Sequence, residues 1–144
     1  MNLPSGSTVV PGARPAHDPQ VSTDVLIVDD DDDFRSAVRA LLSGAGFAIA
    51  GEAATGLDAV AGAASIKPSL VLLDVQLPDI DGFEVTRRLI SSPLPPAVIL
   101  ISTREAIDYG RRIADCGAIG FITKTRLSGA SLHAILRGTG EGVA

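Results

Sequence analysis

The chain has 144 residues, 12 basic against 17 acidic side chains for a net charge of −5, and one cysteine, Cys116. That length corresponds to about one domain and buries roughly two-thirds of the surface its unfolded form exposes, so no covalent staple is needed, and a lone cysteine fits a reducing compartment. The acidic balance excludes the Lys- and Arg-driven neutralisation on which non-specific nucleic-acid binding depends. No run reaches the ~18 apolar residues of a membrane span, and the N-terminus lacks a secretory layout, so a cytoplasmic chain is expected.

Residues 1–23 hold four of the nine prolines with Gly6 and Gly12, and no period of 2 or 3.6, which predicts a disordered leader. The first apolar run, 25–28, is followed at once by five consecutive acids, Asp29 to Asp33. Phe34, Val38, Leu41 and Leu42 then repeat with helical spacing up to Gly44 and Gly46. A second strand is expected at 47–50, and a helix with Leu57, Val60, Ala61 and Ala64 on its apolar face before Pro68. A third strand at 70–73 precedes a helix capped by Asp81, carrying Phe83, Leu89 and Ile90, and stopped by Pro93, Pro95 and Pro96. The fourth pair is a strand at 97–101 and a helix carrying Ile107, Ile113 and Ala114, ending near Gly117. The fifth is a strand at 119–122 and a helix with Leu132, Ile135 and Leu136 before Gly138, after which 139–144 form a short flexible tail.

The runs 25–28, 70–73 and 98–101 are apolar at every position, as in strands covered on both faces of a parallel sheet. Five strand–helix units predict an α/β fold, a doubly wound five-stranded parallel sheet with helices on both faces, over residues 24–138.

In such sheets ligands bind beyond the carboxyl ends of the strands. Asp29 and Asp30 follow the first strand, Asp74 the third, Ser102 and Thr103 the fourth, and Thr123 and Lys124 the fifth. Glu52 lies nearby but toward one edge. Clustered carboxylates repel unless a cation or protons neutralise them. Mg²⁺ suits a few carboxylates with a phosphate partner, with Mn²⁺ an alternative. One carboxylate can then attack phosphorus to give an aspartyl phosphate, while Lys124 and the hydroxyls hold the phosphoryl oxygens.

Other features have plainer readings. Asp31, Asp32 and Asp33 suit the N-terminal end of a helix. The segment from Asp79 to Gly82 is a fragment of a calcium loop without its twelve-residue pattern. His17 and His133 are structural or exposed, Cys116 is a small helix-end residue, and Tyr109 serves packing or surface.

The segments VLIVDD (25–30), LVLLDVQLPDIDGFEV (70–85), VILIST (98–103) and GAIGFITK (117–124) together resemble the receiver domain of two-component response regulators. The resemblance covers residues 24–138 and implies the flavodoxin-like strand order 2-1-3-4-5. It implies Asp74 as phospho-acceptor. Asp30 would be a direct Mg²⁺ ligand, Asp29 would act through a water, and the Gln76 backbone carbonyl would add a further ligand. Ser102 resembles the switch hydroxyl, Lys124 its charge partner, and Phe121 the aromatic that changes exposure. Thr103 would bind the phosphoryl group, and Pro78 and Gly82 resemble the turn after the acceptor strand. Two positions depart from the pattern: Thr125 replaces the usual proline after the lysine, and Thr103 replaces a smaller residue. Arg104 and Gln76 stand where the family tunes phosphate lifetime, and a lifetime longer than minutes is expected.

The function implied is a phosphorylation-dependent receiver rather than an enzyme. It would be charged by a sensor histidine kinase or phosphotransfer protein and would alter its surface of fourth helix, fifth strand and fifth helix, through which a homodimer can form. A Mg²⁺-dependent phosphohydrolase ranks lower, because Gln76 occupies the place of a second acid–base carboxylate. Few residues follow Gly138, so a stand-alone receiver is expected, with the regulatory part of a longer DNA-binding regulator as the alternative.

Overall fold

The structure, a computed structural model, describes residues 23–138; the expected tail and all of the expected leader but Thr23 lie outside the described residues. The chain runs β1 (Asp24–Val28), α1 (Asp32–Gly44), β2 (Ala48–Ala53), α2 (Gly56–Ile66), β3 (Leu70–Asp74), α3 (Gly82–Ile90), β4 (Ala97–Ser102), α4 (Ala106–Tyr109), α5 (Arg112–Asp115), β5 (Gly120–Thr123), a 3₁₀ turn (Lys124–Arg126) and α6 (Gly129–Arg137). The five strands pair in parallel in the order β2-β1-β3-β4-β5, as expected.

Alternate side chains of each strand face opposite layers. Val25, Ile27, Leu70, Leu72, Ile99, Ile101 and Ile122 meet Val38 and Leu42 of α1 and Leu132 and Ile135 of α6 on one side. Leu26, Val28, Val71, Leu73, Val98, Leu100 and Phe121 meet Ala59 and Ala63 of α2, Phe83 and Leu89 of α3 and Ile113 of α5 on the other. Both layers keep the central strands dry, which is why their sequences carry no polar alternation.

Two helices differ from expectation. In α2 the buried positions are Gly56, Ala59 and Ala63, whereas Leu57 is 52% exposed and Ala61 and Ala64 face solvent. The cause lies outside the helix. The Asp79 carboxylate, from the loop after β3, accepts hydrogen bonds from Gly56 N (2.7 Å) and Leu57 N (2.8 Å), and Ile80 packs where a Cβ on Gly56 would fall. This grip sets the rotation of the helix start, and the alanines allow a close approach to the sheet. The expected fourth helix is two short pieces, α4 and α5, broken at Gly110 (φ 59°, ψ −132°), a conformation open to glycine. The break changes the phase, so Ile107 is 87% exposed while Ile113 is buried. Ile90 and Ile119, expected inside, are also exposed, and β5 begins one residue late.

Candidate functional site

The acidic run divides by position. Asp29 N continues the ladder to Ala53 O (3.1 Å), which draws its side chain into the fold, where it is fully buried. Its Oδ1 accepts from Asp31 N at 2.9 Å. Asp31 caps α1, accepting from Asp33 N (2.9 Å) and Phe34 N (3.3 Å). Asp32 pairs with Arg35, and Arg35 Nη1 donates to the Asp29 carbonyl at 2.5 Å. Asp30 stays exposed at the rim. Glu52, near the edge as expected, is engaged by Arg35 (3.0 Å) and Arg39 (2.6 Å).

Asp74 ends β3 opposite Ile101 and is buried. Its Oδ1 accepts from Gln76 N (3.1 Å) and its Oδ2 from Lys124 Nζ (3.2 Å). The following loop is closed by Gly82 N donating to Val75 O at 2.7 Å. A Cβ at Gly82 would lie 2.5 Å from Asp74 O and 2.8 Å from Val75 Cα, and neither backbone atom can swing away. The turn after Asp74 is therefore built around a missing side chain. Gly82→Ala is expected to destabilise the protein by about 1–3 kcal/mol as overpacking against backbone, read as a lowered urea midpoint with unchanged m-value.

Lys124 Nζ lies 2.6 Å from Asp29 Oδ2 and 3.2 Å from Asp74 Oδ2, and 4.3 Å from the centre of the Phe34 ring. Burial pushes the Lys124 ammonium toward neutrality, but its hydrogen bond to Asp29 and the charge of Asp74 outweigh this and raise its pKa. One cation therefore serves two buried carboxylates. Asp74 bears the deficit: burial first, then the Asp29 charge, push its pKa up to about 6, against the opposing pull of Gln76 N–H and Lys124.

Ser102 is fully buried at the end of β4. Its Oγ accepts from Arg104 N (3.1 Å) and shares a hydrogen bond with Tyr109 Oη (2.6 Å). Thr103 is exposed. Thr123, beside Ser102 in the ladder, is buried, and its Oγ1 has no hydrogen-bond partner among the described residues. Phe121 is fully buried. Thr125 lies in the 3₁₀ turn closed by Leu127 N donating to Lys124 O (3.3 Å). Arg112 lies over the Phe83 ring at 4.3 Å and reaches Asp81 at 3.3 Å.

The donor set suits a hard divalent ion. One carboxylate oxygen each of Asp29, Asp30 and Asp74 can lie within 4.8 Å of one another. Asp29 Oδ2 and Asp74 Oδ2 share the single Lys124 ammonium, which leaves net negative charge among the three carboxylates that a divalent cation would neutralise.

No local feature of the sequence marks Phe34, Arg35, Asp79 or Tyr109 as a contributor to the site. Phe34 reads as an ordinary helix residue, and the Asp79 grip spans more than twenty positions, leaving no local mark. Tyr109 stands between Asp108 and Gly110 with Arg111 and Arg112 beyond, so no local pattern marks it for the core, and its apolar neighbours Phe83 and Phe121 come from other elements of the fold.

The profile of the response regulator receiver domain family matches residues 25–137. Response regulator GacA of Pseudomonas aeruginosa is 36% identical over 101 residues, covering 69% of this chain and 47% of that protein. BvgA of Bordetella pertussis, described as a positive transcription regulator of virulence factors, is 40% identical over 100 residues, covering 69% of this chain and 48% of that one. The chain thus spans about half the length of these curated relatives. Among solved structures, a LuxR-family two-component response regulator from Aurantimonas sp. superposes with TM-score 0.75 at 25% identity, covering 86% of this chain and 90% of that one. The receiver domain of a NarL response regulator from Mycobacterium tuberculosis does so with TM-score 0.70 at 29% identity, covering 82% and 93%.

Proposed function

The chain belongs to the response regulator receiver domain family, and from that premise we propose that it accepts a phosphoryl group on Asp74 from a histidine kinase or phosphotransfer protein in a Mg²⁺-dependent reaction. The observation that carries this reading is the pairing of Asp74 with Asp29 through one ammonium, Lys124. An Asp74 oxygen attacks phosphorus, the O–P bond forms as the donor's N–P bond breaks, and the bond pair stays on the donor imidazole, which takes up a proton. Lys124 follows the charge onto the phosphoryl oxygens, and Ser102 and Thr103 offer their hydroxyl protons to them. Asp29, Asp30, Asp74 and the Gln76 carbonyl would hold Mg²⁺, which would supply charge neutralisation. Phe121, beneath Ser102 and Thr123 in the same layer, is the ring that responds when Ser102 moves, passing the change to α4, α5, β5 and α6.

The length of the relatives supports a second statement. BvgA and GacA are about twice as long as the region they share with this chain, and BvgA is described as a transcription regulator. A receiver of this kind serves as the regulatory part of a longer DNA-binding regulator.

The test is incubation with Mg²⁺ and acetyl phosphate followed by intact mass. One added phosphoryl group is expected on the wild type, and none on Asp74→Asn or with EDTA present. No added mass on the wild type, or the same mass on Asp74→Asn, sinks the reading.

A further inference from the structure

Tyr109 is the single tyrosine of a chain without tryptophan. Its ring stands edge-on to Phe83 (centroids 5.4 Å apart, 68°) and tilted against Phe121 (5.8 Å, 60°), and its Oη lies 2.6 Å from Ser102 Oγ. Phe121 has no hydroxyl, so the polar contact to Ser102 from this aromatic group belongs to Tyr109.

A serine hydroxyl has one proton to donate and two lone pairs. Arg104 N–H occupies one lone pair, and Tyr109 takes either the other or the proton. Among the described contacts, none of Ser102's capacity is directed at Asp74. A phosphoryl oxygen only accepts, so Ser102 has to present its proton there, and turning toward Asp74 separates its Oγ from Tyr109.

We propose that Tyr109 is a positioning residue that holds Ser102 in its resting orientation, so that a phosphoryl group on Asp74 has to win Ser102 from Tyr109. The proposal rests on the reading of Asp74 as acceptor. The same bond ties the chemistry to α4. That element is four residues long, and Ala106 and Tyr109 are its residues packed on the core. Gly110 follows with φ 59°. Once Ser102 leaves, the half-buried Tyr109 hydroxyl can turn to water, and α4 keeps no side-chain hydrogen bond to Ser102. Occupation of Asp74 is thereby converted into a loosening of this segment.

Tyr109→Phe keeps the ring and removes the hydroxyl, which isolates the bond. The probe is beryllium fluoride with Mg²⁺, an analogue of the phosphoryl group, titrated by calorimetry. Losing a resting-state hydrogen bond that the occupied state does not make should tighten binding by roughly fivefold. In a Ser102→Ala background, Tyr109→Phe should leave the affinity unchanged. The single-tyrosine emission of the unliganded protein should also shift on Ser102→Ala, a readout independent of phosphorylation. Equal affinity for wild type and Tyr109→Phe overturns the proposal, and so does an equal gain in the Ser102→Ala background or an unmoved emission. Absence of binding by the wild type instead overturns the Asp74 reading itself, and the proposal with it; binding with no response to Tyr109→Phe overturns the proposal alone.

Discussion

Replacing Lys124 by methionine should cost the metal-free protein about 3–5 kcal/mol at neutral pH, because removing one partner leaves uncompensated buried charge. Methionine keeps an unbranched apolar stem beside Phe34, so the loss isolates the ammonium. Asp29 and Asp74 would then share a buried site without their cation. The loss should shrink between pH 7 and pH 5: the wild-type Asp74 pKa is about 6 with Lys124 pulling it down, so without Lys124 it lies higher, and on acidification that carboxyl is neutral in both folded proteins. Urea unfolding at the two pH values measures both effects. A loss below about 1 kcal/mol, the scale of an exposed pair, or one independent of pH, would show that Lys124 does not compensate the buried pair. Phosphoryl uptake from acetyl phosphate should fall in the same variant.

Asp74→Asn should act in the opposite sense on stability. The folded-state pKa of Asp74, about 6, lies above its ordinary value of 3.8. The folded protein therefore holds a proton that the unfolded chain has released, and unfolding free energy falls with pH between these values. Well below pH 3.8 the carboxyl is neutral in both states and carries no penalty. As pH rises through 6 the penalty reaches its full size, about 3 kcal/mol at roughly 1.4 kcal/mol per pH unit. The introduced amide has no charge to desolvate, and its side-chain oxygen can still accept from Gln76 N. With EDTA present, the variant should be more stable than wild type by up to about 3 kcal/mol at pH 7–8, and the gap should close toward pH 4. Mg²⁺ should narrow it by stabilising the wild type. Paired thermal or urea unfolding curves across pH test this; a variant no more stable than wild type at pH 8, or a gap that grows on acidification, contradicts it.

Much of the fold and the placement of the site residues was legible along the chain. The all-apolar runs mark strands covered on both faces, and the residues after each run must emerge at one edge of a parallel sheet. Asp29, Asp74, Ser102 and Lys124 follow from that rule without knowledge of any contact. Asp31 and Asp81 were legible for a similarly local reason, since a cap bonds two or three residues ahead. Leu57 and Ile107, apolar at helical spacing, lie exposed because helical phase is set from outside the helix. Asp79 fixes the start of α2, and Gly110 breaks the fourth helix so that Tyr109, not Ile107, meets the core.

The sequence by itself therefore determined the α/β alternation, the sheet edge where the carboxylates, hydroxyls and lysine gather, and the residue types found there. The tertiary structure alone decided how those groups are engaged. Lys124 bridges Asp29 and Asp74 above Phe34, and Ser102 is bonded to Tyr109. The reason is range. Strand ends and caps obey periodicity and bonds within a few residues, whereas a contact across a helix break depends on packing that no local pattern encodes. Tyr109 reaches Ser102 because its ring settles between Phe83 and Phe121, and Gly110 lets the backbone turn to follow it.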